Sequence, residues 1–309
     1  MLAIFLKTLP FFAVIGLGFM AGRQRFFTPE ATAHLTKFVF YFALSAMLFG
    51  FAANLDVGAL FSWAFVLAYV LASGLVWALV GGVALARGAG PQEAVVEAHC
   101  GVIGNVGFLG IPMLTLLLGK AAVGPVLLVL AVDLLVFSSV LTILIAGLRE
   151  GRMSWGIFRV LTMGLLRNPM IVSVVLGLAW GATGAALPLP VNEFMTMLGA
   201  AATPCALFAI GASLAGRSAE RMEVAVWLAF AKLVLHPVAV AVMALVVFPV
   251  DRYAAGVMIA AAALPVAGNV FILAQHFGVA PQRVSTSILI STAVSVLTVT
   301  AVIALVEGL

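Results

Sequence analysis

Two asparagines stand in matched, glycine-rich surroundings in the two halves of the chain. The tripeptide Gly-Asn-Val occurs at residues 104–106 and again at 268–270, an offset of 164 in a chain of 309 residues. Pro112 follows the first copy, and Pro265 precedes the second. Glycine and proline interrupt a regular helix, and each asparagine amide adds two donors and an acceptor beside the interruption. The matched pair predicts a substrate site built from two equivalent stretches.

Three ionisable residues lie inside long apolar runs. Lys232 and His236 are four residues apart, so they share one face of a helix, and Asp133 lies in a separate run. Ionisable groups are costly in hydrocarbon, which makes these three the candidates for attracting an anion or carrying a coupling proton. The alternatives are an ion pair with Asp133, a lysine that reaches an interface, and a hydrogen-bonded interior histidine.

Further polar residues have a more ordinary interpretation. Glu93 and Glu97 are also four residues apart, His99 follows them, and we interpret the three as a solvated entrance. A serine- and threonine-rich helix face near the C-terminus is typical of hydrogen bonding between helices, although it could line a transport path; it comprises Ser285, Ser287, Ser291, Thr292, Ser295 and Thr298.

Composition defines the class of protein. Hydrophobic residues make up 65% of the chain and charged residues 8%, against about 25% charged residues in soluble domains. The mean hydropathy is +1.27, and the apolar runs are too long for the strands of a membrane β-barrel. An all-α integral membrane protein is therefore expected. Cys100 and Cys205 lie in apolar runs, so we expect no disulfide framework, metal or cofactor.

The apolar runs and their interruptions predict ten membrane spans. The longest connection, 149–168, divides the chain into two five-span halves, 1–148 and 169–309. Because five is odd, the second half enters the membrane from the opposite side, which defines an inverted repeat. Spans four and nine each contain one Gly-Asn-Val copy. The predicted spans are 4–22, 36–53, 62–86, 92–118, 122–148, 169–186, 192–215, 223–248, 253–277 and 283–306.

The basic residues give the orientation of these spans. Most of the 15 lysines and arginines fall in alternate loops, which the positive-inside rule places in the cytoplasm. Both termini are then outside. The apolar run at 2–21 is too long for a signal-peptide core, so it is interpreted as the first span. Because the positive charges are explained by topology, nucleic acid is not an expected partner.

Five stretches of the chain, together with the ten-span layout, carry a resemblance to a known family; they are 104–112, 168–169, 206–214, 232–237 and 274–278. On these features nearly the entire chain resembles the auxin efflux carrier family, and within it most closely a bacterial branch of malonate and related carboxylate permeases. One departure is Ser45, where the family often has proline.

The resemblance implies an architecture and a substrate class. Spans 1, 2, 6 and 7 would form a scaffold, and spans 3–5 and 8–10 a mobile core in which spans 4 and 9 cross. It also implies a homodimer in a bacterial inner membrane and a small organic anion as substrate; the loop charges then place both termini in the periplasm. Similarity carries the anion-binding role onto Asn105 and Asn269, with Pro112 and Pro265 shaping the crossing. With the adjoining glycines, the predicted site is Asn105, Asn269, Gly104, Gly107, Pro112, Pro265 and Gly268.

The leading hypothesis is an elevator-type carrier of a mono- or dicarboxylate such as malonate. The alternative is a sodium- or proton-coupled symporter or antiporter of the same fold, although the crossing has no acidic residue within 101–112 or 264–273, which disfavours sodium. A static crossing would also suit a channel. An enzyme is not expected because HExxH and GxSxG motifs are absent, and no loop is long enough for a receptor's signalling domain.

Overall fold

The computed structural model describes residues 2–54, 62–150, 162–163, 166–216 and 222–307. Most residues in these ranges are helical, and the β pairing found within them is a single bridge. In chain order the helices are α1 (Leu2–Arg23), α2 (Pro29–Ala53), α3 (Trp63–Ala86), α4 (Pro91–Val102), α5 (Val106–Leu118), α6 (Lys120–Arg149), α7 (Pro169–Gly181), α8 (Leu189–Ala215), α9 (Met222–Val247), α10 (Arg252–Ala262), α11 (Gly268–Phe277) and α12 (Pro281–Val306).

Several of these helices can cross a bilayer. Among the described residues, seven have the length and apolarity of a membrane span, namely α1, α2, α3, α6, α8, α9 and α12. Three shorter apolar helices are α5, α7 and α10. The prediction of an all-helical, multi-pass membrane protein is confirmed at this level. Most of the predicted connection at 149–168 lies outside the described residues, which omit 151–161 and 164–165.

Helix α2 begins earlier than the sequence-based boundary at residue 36. Thr28 precedes it, and its side chain accepts a hydrogen bond of 3.2 Å from the backbone N–H of Ala31. Pro29 occupies the first turn, where its missing N–H costs nothing and its fixed φ suits a helix. The helix therefore begins at Pro29. Its first turns are polar, so the pattern of apolar residues did not indicate them.

Several long helices contain a wider π-helical turn. One covers Val39–Ala43, where the Ser45 hydroxyl donates to the Phe40 carbonyl at 3.0 Å. Two others cover Asp133–Phe137 in α6 and Ala231–Leu235 in α9. Such turns occur often at functional sites because they rotate the following side chains relative to a regular helix. Here they carry Asp133 and Lys232, two of the ionisable residues predicted to matter.

Small residues allow very close helix packing in one part of the bundle. Helix α1 packs against the second part of α8, and a Cβ atom added at Gly211 would lie 1.9 Å from the carbonyl oxygen of Ile15. Helix α2 packs in the same way against α7, where a Cβ at Gly177 would lie 2.7 Å from the carbonyl oxygen of Phe49. Helices α3, α4, α9, α10 and α12 pack together in another part of the bundle, and α12 also contacts α1.

Candidate functional site

The two glycine-rich interruptions meet inside the protein. Helix α4 ends at Val102 and α5 begins at Val106, while α10 ends at Ala262 and α11 begins at Gly268. Between these ends Gly104 and Val266 form an antiparallel bridge. The Asn105 N–H donates to the Pro265 carbonyl at 2.8 Å, and the Ala267 N–H donates to the Ile103 carbonyl at 3.1 Å. Each non-helical segment therefore supplies one N–H and one carbonyl to the other, which helps to satisfy its backbone as burial in a membrane requires.

The meeting point brings together four helix ends of opposite polarity. Helices α5 and α11 present their N-terminal ends, which carry free N–H groups and the positive end of the helix dipole. Helices α4 and α10 present their C-terminal ends, which carry free carbonyls and the negative end. N-terminal ends attract anions, whereas C-terminal ends attract cations.

Both predicted asparagines lie at the N-terminal ends. Asn105 is buried and directly precedes α5, while Asn269 occupies the first turn of α11. Among the described residues, the buried side-chain oxygen of Asn269 has no hydrogen-bond partner. Rotation of the amide would exchange this acceptor for its NH₂ donor, so either group can be offered to a ligand. The position suits recognition of a polar group at the crossing.

The remaining predicted site residues occupy different places around the crossing. Pro265 is part of the bridged segment, and Pro112 follows the π-helical first turn of α5. Gly107 faces away from the bridge, since a Cβ there would lie 2.8 Å from Cε of Met170 on α7. A Cβ on Gly268 would meet nothing within 4 Å. The structure thus leaves open space beside the second glycine.

Lys232 lies against the crossing and is fully buried. Its ammonium donates to the carbonyl of Ala262, the last residue of α10, and lies 3.2 Å from Nδ1 of His236. A Cβ on Gly104 would lie only 3.2 Å from Nζ, so the absence of a side chain there makes room for the lysine. A cation at the C-terminal end of a helix is favourably placed in the helix dipole.

A chain of hydrogen-bonding groups extends from Lys232 toward α6. The Nε2 atom of His236 lies 2.9 Å from Oγ of Ser73 on α3. One helical turn away, the Tyr69 hydroxyl donates to Oδ1 of Asp133 at 2.8 Å, and the Tyr69 and His236 rings lie 5.8 Å apart. All five residues are buried. The three ionisable residues predicted from sequence therefore belong to one cluster, hereafter the buried polar cluster.

Sequence reasoning did not identify Tyr69 or Ser73. The available signal was their spacing of four residues on an otherwise apolar helix, which places both on one face. A direct ion pair with Asp133 was one of the alternatives for Lys232, and the structure shows an indirect link instead, because within the described ranges no ion pair joins Lys232 to Asp133. The second carboxylate oxygen of Asp133 is buried and lacks a hydrogen-bond partner among the described residues.

Ser291 on α12 supports the second interruption directly. Its hydroxyl oxygen accepts a hydrogen bond of 3.1 Å from the Val266 N–H and lies 3.2 Å from the carbonyl of Ile288, to which it donates. The serine-rich face was interpreted as interhelical hydrogen bonding, and for Ser291 the partner is the non-helical backbone at the crossing. This bond satisfies an N–H group that the break in the helix would otherwise leave free.

The interpretation of Glu97 and His99 as a solvated entrance is wrong. Glu97 is 1% exposed and His99 is fully buried. The Glu97 carboxylate accepts hydrogen bonds of 2.8 Å and 2.6 Å from one guanidinium nitrogen of Arg87 and another from Arg283. Burial is possible because the two guanidinium groups compensate the charge. The helical spacing of Glu93 and Glu97 did not indicate these distant partners.

The geometry defines a class of protein. An all-helical, multi-pass membrane protein with a buried, polar meeting point of four helix ends has the features of a membrane transporter. The chain matches the family described as "Membrane transport protein" over residues 3–303. It is also 33% identical over 306 residues to a protein of Rhizobium meliloti (strain 1021) named "Putative malonate transporter", an alignment that covers 97% of this chain and 95% of the relative. The chain belongs to this membrane transport family, that of the auxin efflux carriers.

Proposed function

We propose that the protein is a secondary transporter of a small organic anion, a mono- or dicarboxylate such as malonate. The substrate site is the crossing, where the N-terminal ends of α5 and α11 meet beside Asn105 and Asn269. The observation that carries the proposal is the pair of backbone hydrogen bonds that joins the two non-helical segments, Asn105 to Pro265 and Ala267 to Ile103. The name of the Rhizobium relative supports malonate as the first substrate to test.

The electrostatics of the crossing favour an anion. A carboxylate that leaves water needs donors and positive potential to replace its hydration, and helix N-termini with asparagine amides provide both. Lys232 adds a full positive charge next to Gly104. The C-terminal end of α10 carries a partial negative charge that would repel an anion, and the Lys232 ammonium, which donates to the carbonyl of Ala262 there, compensates that charge. The same arrangement disfavours a cation as the transported species.

The proposed architecture has ten spans in a 5+5 inverted repeat. In it α4 with α5 forms the broken span four, and α10 with α11 forms the broken span nine. The close packing of α1 and α2 against α7 and α8 supports assigning these helices to a scaffold, with the other helices forming a transport core. In an elevator mechanism the core moves against this scaffold and exposes the crossing to each side in turn.

The remaining parts of the proposal concern assembly and coupling. The protein is a homodimer of the bacterial inner membrane with both termini in the periplasm, as the resemblance and the loop charges indicate. Lys232, His236 and Asp133 are the groups that couple transport to a proton. Without coupling, the membrane potential drives anion export by about 2.3 kcal/mol per charge per 100 mV, so uptake of an anion requires such a coupling ion.

The test is uptake of labelled malonate into proteoliposomes containing the purified protein, with pH, sodium and voltage gradients imposed separately. Wild-type protein gives saturable uptake. In the double variant Asn105→Ala/Asn269→Ala the uptake falls at least about tenfold, because hydrogen bonds to a charged group each contribute about 1.5–3 kcal/mol. The matched control is Asn192→Ala, since Asn192 is an exposed asparagine on α8.

Two outcomes would overturn parts of the proposal. If malonate is not carried but other carboxylates compete for binding, the substrate assignment is wrong while the site is retained. If no carboxylate binds and sodium or proton flux occurs alone, the anion-carrier proposal is wrong. Unchanged uptake by the double variant would remove the crossing as the substrate site.

A further inference from the structure

We propose that Tyr69 and Ser73 complete a buried proton path from Lys232 to Asp133, and that Asp133 takes up one proton with each anion bound at the crossing. This inference rests on the proposed function, because it requires an anion at that site. It assigns a role to two residues of α3 and fixes the stoichiometry of coupling. It also names the group that holds the proton.

The path is formed by side chains from three helices. From Lys232 Nζ, the next group is His236 Nδ1 at 3.2 Å, followed by Ser73 Oγ at 2.9 Å from the other ring nitrogen. Tyr69 lies one helical turn before Ser73 on the same face of α3, which allows a proton to pass between the two hydroxyls, and the Tyr69 hydroxyl donates to Oδ1 of Asp133 at 2.8 Å. Each intermediate group can accept a proton on one side and donate on the other, as proton transfer along hydrogen bonds requires.

Asp133 has a free position for the proton. Its Oδ1 atom accepts from Tyr69, whereas Oδ2 is buried without a hydrogen-bond partner among the described residues. A buried carboxylate oxygen without a partner is costly when the group is charged, and protonation removes that cost. The Tyr69 hydroxyl passes its proton to Oδ1 and is reprotonated through Ser73. Rotation of the carboxylic acid group then exchanges the two oxygens, so that the O–H occupies the free position and the other oxygen again accepts from Tyr69.

Charge balance explains why anion and proton bind together. In the empty core, Lys232 and Asp133 are the one lysine and the one acidic residue of the buried polar cluster, so their charges sum to zero. An anion at the crossing adds a negative charge in a region where uncompensated charge is expensive. The proton comes from solution with the anion: Lys232 passes a proton into the path and is reprotonated, so it stays charged as the counter-charge while Asp133 becomes neutral. For a monoanionic carboxylate the empty and loaded cores are then equally neutral, whereas the second charge of a malonate dianion is left to the helix N-terminal ends and the asparagine amides of the crossing.

Other ionisable groups near the cluster are accounted for. Helices α4 and α12 pack against the π-helical turn that carries Lys232. On these helices Glu97 and Arg283 pair with each other, and Glu93 lies 3.3 Å from Arg283. His99 is buried, and its two ring nitrogens have no hydrogen-bond partner among the described residues. The Cys100 thiol is buried on the same helix. Helix α10 bears Arg252 and Tyr253 at its opposite end.

The first experiment measures protons taken up when malonate binds to purified protein in a weakly buffered solution containing a pH indicator dye. Wild-type protein takes up one proton per malonate, so its affinity falls as pH rises, by up to about tenfold per pH unit. The range from about pH 7 to about pH 9 is suitable because carboxylic acids remain ionised there. Asp133→Asn mimics the protonated acid, so it binds malonate without proton uptake and with an affinity independent of pH.

The second experiment separates the path from the site. In proteoliposomes, Tyr69→Phe and Ser73→Ala lose about tenfold or more of net malonate uptake driven by a pH gradient, the scale expected when a proton-transfer group is removed. They retain malonate–malonate exchange, because the proton can remain on Asp133 when one anion replaces another. Retained exchange also shows that the variants are folded.

Matched controls remove similar groups away from the path. Tyr253→Phe deletes a hydroxyl that donates to the Leu118 carbonyl at 2.8 Å, and Ser295→Ala deletes a buried hydroxyl that donates to the Thr292 carbonyl at 2.8 Å. Both controls keep gradient-driven uptake. Loss of uptake in the controls equal to that in the path variants would contradict the assignment of the path.

The outcomes distinguish this inference from the proposed function. If malonate binds and is transported without proton uptake, or if Asp133→Asn keeps the pH dependence, the proton path is wrong and the anion carrier stands. If Tyr69→Phe and Ser73→Ala lose exchange and net uptake equally while remaining folded by thermal melting, the two residues shape the site and form no proton path. If wild-type protein binds no carboxylate, the proposed function and this inference both fail.

Discussion

Lys232 packs beside the backbone at Gly104, where a Cβ atom added to the glycine would lie only 3.2 Å from the lysine Nζ. The equivalent glycine of the second Gly-Asn-Val copy, Gly268, has nothing within 4 Å of the same position. The sequence repeat is therefore asymmetric in its surroundings. The first copy accommodates a buried cation, and the second borders open space beside Asn269.

This asymmetry predicts different effects for the same substitution. Gly104→Ala displaces the Lys232 ammonium, because the new methyl group also meets the Ala261 carbonyl at 3.3 Å. We expect a lower melting temperature in detergent, corresponding to about 1–3 kcal/mol of overpacking. Gly268→Ala should melt at the wild-type temperature. Equal melting temperatures for the two variants would contradict the contact between Gly104 and Lys232.

Lys232 and Asp133 should behave as charges that compensate each other. Lys232→Met leaves Asp133 without a compensating charge in the interior. We expect a loss smaller than the roughly 3–5 kcal/mol of a broken direct ion pair, because the described residues include no ion pair between the two groups and Asp133 can take up a proton. The double variant Lys232→Met/Asp133→Asn restores neutrality and should recover most of that loss. The measurement is a double-mutant cycle of thermal stability. Additive losses in the cycle would show that the two groups do not interact.

Glu97 should contribute more to stability than its helical neighbour Glu93. Glu97→Gln removes the charge that holds two guanidinium groups, Arg87 and Arg283, and we expect a loss of about 3–5 kcal/mol. The Glu93 side chain is 39% exposed, so Glu93→Gln should cost less than about 1 kcal/mol. Thermal melting of both variants in one detergent provides the comparison. A larger loss for Glu93→Gln would contradict the ion-pair network.

The contact between α1 and α8 predicts a strong effect of a single methyl group. Gly211→Ala places Cβ against the Ile15 carbonyl at 1.9 Å, so the two helices must separate, and folded protein should decrease sharply. The control is Gly50→Ala in α2, where nothing lies within 4 Å. Since alanine favours helix over glycine by about 1 kcal/mol, the control should be neutral or stabilising. For both variants, the amount of folded protein is measured as the yield of the monodisperse peak in size-exclusion chromatography.

The sequence by itself determined the class of the protein and the positions of its helices. Apolar runs longer than a bilayer core must form helices in a membrane, so spans such as 62–86 and 122–148 agree closely with α3 (Trp63–Ala86) and α6 (Lys120–Arg149). The paired Gly-Asn-Val copies marked the non-helical segments because glycine and proline act locally on the backbone. The start of α2 at Pro29 was missed because its first turns are polar.

Only the tertiary structure decided which polar groups meet. Tyr69 and Asp133 are 64 residues apart and hydrogen-bonded, and Glu97 and Arg283 are 186 residues apart and paired. Local sequence reports which face of a helix a residue occupies, but the neighbour of that face depends on how helices from both halves pack. For the same reason Glu97 resembled a solvated acid in sequence and is buried in the structure. Long-range packing therefore converts scattered ionisable residues into one buried polar cluster.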